Sequence, residues 1–126
     1  MTELDLMQQA DSFARDYIAG VDTMRVSPSA EDLARLDVFD EPLPSDPCDP
    51  AEVIAKLHAI GSRNTMVSNG PNYYGFVLGA ALPVAAAADR LALAWDQCAS
   101  SPDSSPVAGR LEAIAGRWLL DILDLP

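Results

Sequence analysis

The chain has 126 residues, 49% of them apolar, and a net charge of −11 from 19 acidic and 8 basic side chains. That apolar share supports about one folded domain and excludes a disordered tail. The acidity argues against nucleic acid and against anionic membrane surfaces as partners, because neither is attracted to such a field.

The opening MTELDLMQQADSF lacks a basic region followed by an apolar run, so it does not read as a secretory signal and a cytoplasmic location is expected. Residues 4–21 then place Leu6, Ala10, Phe13, Ala14, Tyr17, Ile18 and Val21 on one stripe of helical period, with Gly20 as a stop. Ser27-Pro28 or Ser29 caps a short helix, SAEDLARL. VFDEPLPSDPCDP, residues 38–50, holds four of the ten prolines and reads as a linker or an extended arm.

DPAEVIAKLHAIG predicts a well-marked helix. Asp49 is the cap, Pro50 takes the first position, Glu52 stands where a capping box needs it, and Gly61 lies past the end. Val53, Ile54, Leu57 and Ile60 are expected to face inward, with Glu52 and Lys56 paired one turn apart outside. From Arg63 to Leu82 the signals are loop-like. The uncharged run Asn69 to Ala88 is broken by asparagines, glycines and Pro83, so it does not predict a membrane span.

Pro83 opens VAAAADRLALAWDQCA, an alanine-rich helix apolar on nearly every side, which predicts neighbours all round. SSPDSSP is a turn. Ser105-Pro106 starts the last helix, whose stripe is Leu111, Ile114, Ala115, Trp118, Leu119, Ile122 and Leu125. The fold class expected is all-α, with four to five helices and a proline-rich arm.

Candidate chemistry is sparse. His58, the only histidine, has no nucleophile or orienting partner at a telling spacing, so a packing or surface role is expected. Gly75 and Gly79 are not set in a phosphate-binding pattern. Asp37 with Asp40 and Glu41, and Asp121 with Asp124, read as solvated acidic faces rather than metal ligands. Cys48 and Cys98 have no CxxC spacing and read as reduced thiols. Tyr73, Tyr74 and Phe76 leave two readings open: a loop packed on the alanine-rich helix, or the aromatic wall of a small-molecule pocket.

Three motifs in order carry a resemblance: P-x-[FY]-[FY]-G-F at residues 71–76, A-D-x-L-x-x-x-W-x-Q at 88–97, and S-P-x-x-x-x-L-E-x-x-x-x-x-W-L at 105–119. Together with the proline-rich stretch before them they resemble the N-terminal region of the group II pyridoxal-phosphate-dependent decarboxylases, relatives of the aromatic-amino-acid, glutamate and tyrosine decarboxylases. The resemblance implies a helical segment of a fold-type-I enzyme, with residues 1–48 as helix, short helix and arm, and residues 49–126 as a dimerisation and pocket-lining segment. It implies a homodimer or the remainder of a decarboxylase as partner, an amino acid as the substrate of the complete enzyme, and Tyr73 and Tyr74 as its substrate-pocket wall. The turn from Gln97 to Ser105 is expected to approach the partner's active site.

The family's cofactor lysine, pyridine-pairing aspartate and stacking histidine belong to a large domain that follows such a segment. Lys56, the one lysine here, does not follow a histidine as the cofactor lysine does, and Gly70 stands where the family carries a histidine before the motif proline. The expectation is therefore a partial or truncated chain with no catalytic, cofactor-binding or metal-binding residue of its own, and pyridoxal 5'-phosphate bound only in the complete enzyme. The alternative is a stand-alone helical interaction module derived from such a segment.

Overall fold

A computed structural model describes all 126 residues, in five α-helices and no strand. The all-α expectation holds. The chain divides into two compact units, Met1–Ala80 and Ala81–Pro126.

In the first unit, α1 spans Glu3–Gly20 and α2 spans Ala30–Ala34, the latter running on as a 3-10 turn over Arg35–Phe39. Both helices begin with the same reciprocal cap. The Thr2 hydroxyl accepts from the Asp5 amide at 3.2 Å, and the Asp5 carboxylate accepts the Thr2 amide at 2.8 Å. Ser29 and Asp32 repeat the arrangement, which makes Ser29 rather than Ser27 the cap. Each pair satisfies orphan amides of a first turn and sets an acid at its positive end.

α3 spans Pro50–Lys56 and continues as a π-helical turn over Leu57–Gly61. Asp49 caps it by accepting from the Ala51 amide at 2.9 Å, with no reciprocal bond from Glu52. The expected capping box is therefore replaced by a one-way cap. The expected Glu52–Lys56 pair is also replaced: the Lys56 ammonium binds the Glu41 carboxylate of the arm and lies 5.8 Å from the centre of the Phe39 ring. A carboxylate and an aromatic face together hold this ammonium better than a solvated glutamate one turn away.

α1 packs on α3. Gln9 Nε2 donates to the Ala51 carbonyl at 3.2 Å, the Phe13 and His58 rings stack with centroids 4.1 Å apart, and the Tyr17 and Thr65 hydroxyls meet at 2.8 Å. Val67 donates its amide to the Val26 carbonyl at 2.9 Å, tying the loop after α3 to the chain that leaves α1. The apolar core is small: Ile60 is 7% exposed and Val67 5%. Of the four α3 positions expected to face inward, Ile60 is buried and Ile54 half-buried, while Val53 and Leu57 are exposed. The π turn redirects the last residues of the helix, so a regular 3.6 period does not carry through.

The second unit holds α4, Pro83–Trp95, and α5, Pro106–Ile122. α4 stops where Asp96 takes a left-handed conformation, φ 47°, which aspartate tolerates better than most residues. In the linking loop the Ser104 amide donates to Ser101 Oγ at 3.2 Å, and the Ser104 hydroxyl donates to the Cys98 carbonyl at 2.7 Å. A side chain at Gly109 would come within 3.1 Å of Pro102, so glycine at 109 lets the loop lie close on α5. Every residue of α4 is exposed, and α5 exposes Leu111, Trp118, Leu119 and Ile122 of its apolar stripe. The neighbours predicted for the alanine-rich helix are not supplied within this unit.

No helix is long and apolar enough to cross a membrane.

Candidate functional site

The aromatic loop is built from two successive turns. In the first, Tyr73 donates its amide to the Gly70 carbonyl at 3.3 Å, with Pro71 supplying the fixed φ that such a turn favours. Gly70 fits tightly here, since a side chain would sit 3.0 Å from Val67 Cγ1 and 3.3 Å from the Val21 carbonyl oxygen. In the second, Leu78 donates its amide to the Gly75 carbonyl at 3.3 Å across Phe76 and Val77, whose φ angles are 53° and 56°.

Tyr73 and Tyr74 occupy different environments. Tyr73 is half-buried and folds its ring back on Gly75, where an added Cβ would lie 3.3 Å from the phenolic oxygen. That oxygen is buried and has no hydrogen-bond partner. Tyr74 is 93% exposed and Phe76 82%. Within this chain, then, one tyrosine covers its own loop and the other points to solvent.

A groove of about 530 Å³ opens between α1 and the α3 extension, lined chiefly by Phe13, Tyr17, Ile18, Ile54, Leu57 and His58. The π turn brings the imidazole parallel to Phe13, within 4°. His58 Nδ1 lies 3.0 Å from the Ser62 hydroxyl. With this stack and this hydrogen bond His58 has a packing role, as expected. Sequence reasoning did not find the groove. Its signal was the length of the α1 stripe, four turns of apolar residues facing a much shorter helix.

The residues of this chain do not fit pyridoxal phosphate. Its one lysine is engaged by Glu41 and Phe39, and its one histidine stacks on Phe13. No group of three or more histidine, cysteine or acidic side chains gathers as metal ligands do. Cys48 and Cys98 are exposed free thiols, and hydrogen bonding from Ser100, 3.2 Å away, holds the Cys98 thiol below the ordinary thiol range.

No known protein family matches the chain, and neither does any curated protein or solved structure.

Proposed function

We propose that this chain is the dimerisation and substrate-pocket segment of a pyridoxal-phosphate-dependent amino acid decarboxylase, inactive by itself. The observation that carries the reading is the apolar surface left uncovered along α4 and α5, in the helices that also bear two of the three resembling motifs. Monomers rarely leave contiguous apolar patches beyond a few hundred Å² open to water, and larger ones mark interfaces. In this reading a second copy or the remainder of the enzyme covers those faces. Tyr73 and Tyr74 join a pocket wall only in that assembly.

The cofactor, when held by the rest of such an enzyme, supplies an electron sink for the bond that breaks. This chain supplies aromatic surface and interface, and no proton-transfer step falls to its residues. The test has two arms. Incubated with pyridoxal phosphate and aromatic or acidic amino acids, the chain releases no carbon dioxide, and borohydride fixes no stoichiometric adduct on Lys56. Sedimentation across a concentration series shows association that the double substitution Trp118→Glu, Ile122→Lys abolishes. Turnover accompanied by a Lys56 adduct, or a monomer at every concentration, overturns the proposal.

A second reading is a stand-alone helical interaction module. The internal ties of the first unit favour it, from the Thr2 and Ser29 caps to the Val67–Val26 hydrogen bond. It predicts a defined monomer or dimer at micromolar concentration with one cooperative melting transition, whereas in an uncovered enzyme segment α4 and α5 melt apart from the first unit and aggregate.

A further inference from the structure

The geometry points to a sprung turn at Gly75–Leu78: a closed state held by one hydrogen bond and the Tyr73 ring, from which the segment opens to an extended form. Four residues, Gly-Phe-Val-Leu, close on the Leu78 amide, which donates to the Gly75 carbonyl at 3.3 Å. Both central residues have positive φ, 53° at Phe76 and 56° at Val77. That is the mirror-image turn which asparagine and glycine favour, because a Cβ crowds the neighbouring carbonyl in the left-handed region. Valine is among the least suited residues for it, being branched at that carbon.

Nothing tertiary holds the two residues there. Phe76 is 82% exposed and Val77 is fully open to solvent. A strained backbone normally persists because packing around it enforces the conformation. Here the restraints are local: the single amide bond and the Tyr73 ring against Gly75. The ring itself is held at a cost, because its hydroxyl is buried without a partner. Opening relieves both defects together. Phe76 and Val77 return to negative φ, and the Tyr73 hydroxyl reaches water.

The opened form differs in what it presents. Successive side chains of an extended segment alternate between faces, so Tyr74 and Phe76 come to one side, with Tyr73 and Val77 opposite. The aromatic pair that shares a face is then Tyr74 with Phe76, not Tyr73 with Tyr74. The inference stands on the first unit alone and does not depend on the decarboxylase reading.

Amide hydrogen exchange at Leu78 in the full chain tests it, with chymotrypsin cleavage after Tyr74, which both variants keep, as a second readout. The double substitution Phe76→Asn, Val77→Gly keeps the turn and removes its strain. Leu78 exchange is expected to slow at least tenfold, given the penalty that two side chains carry in the left-handed region. Tyr73→Phe, which deletes the unpartnered hydroxyl and keeps the ring, is expected to slow it further. Unchanged exchange in the double variant overturns the inference, as does faster exchange in Tyr73→Phe, since that result means the hydroxyl holds the turn shut.

Discussion

Two substitutions three residues apart on one helix separate the packing of the first unit from the pattern its sequence suggests. Ile60 and Leu57 both belong to the apolar stripe of α3, yet Ile60 is 7% exposed and Leu57 56%. Truncating a buried isoleucine to alanine costs about 2–5 kcal/mol, whereas a largely exposed leucine loses under about 1 kcal/mol. A unit of 80 residues, Met1–Ala80, has a total stability of roughly 4–12 kcal/mol, and so small a core puts this one near the lower end. Ile60→Ala is therefore expected to remove about 3 kcal/mol, most of the margin. At about 4–8 °C per kcal/mol for a domain of this size, its melting midpoint falls by more than about 12 °C. Leu57→Ala moves it by a few degrees. Circular dichroism melts at low micromolar concentration read the difference. Equal losses from the two substitutions refute the packing described, because Leu57 must then be covered.

Further outcomes follow from the caps, the arm and the loop. Hydrogen bonds from the Thr2 backbone and side chain depress the Asp5 carboxyl, and the Ser29 hydroxyl depresses that of Asp32, both below the ordinary value of 3.8. A lowered folded-state pKa stabilises above that ordinary value and is lost as pH falls through the folded one, so helicity is expected to drop below about pH 4. Ser29→Ala costs about 1 kcal/mol at neutral pH and flattens part of that acid dependence in a circular dichroism titration. Glu41→Ala is expected to free the arm for proteolysis at residues 40–49, by less than about 1 kcal/mol and less again in high salt, while Glu52→Ala leaves the cleavage rate unchanged. In a Cys48→Ser background, Ser100→Ala is expected to slow alkylation of Cys98 at pH 7.5, since it removes the hydrogen bond that favours the thiolate.

Much of the helical layout was legible because its signals are local. Ser29 and Asp49 cap helices through bonds that reach only two or three residues along the chain, whereas the equally local Thr2–Asp5 box went unread. The α1 stripe and the Pro83 and Pro106 starts follow from period and from proline's fixed φ. The rest depends on contacts that spacing does not encode. Lys56 was expected to choose Glu52, one turn away, and instead reaches across fifteen residues to Glu41. Leu57 matches the apolar period of α3, but the π turn begins at that residue and breaks the period. At the aromatic loop, Pro71 and Gly75 announce turns, while nothing about Phe-Val suggests two left-handed residues. The uncovered face of α4 was readable only as a demand for neighbours, and the packing of its own unit does not name them.

In the proposed reading α4 and α5 present faces that a partner covers. Hydrogen exchange across α4, Pro83–Trp95, measured by mass spectrometry at two protein concentrations tests it most directly. Its amides are expected to exchange within seconds when dilute, because an isolated helix of this length is marginal in water, and to gain protection as the chain associates. Strong protection of α4 in a dilute monomer would contradict it.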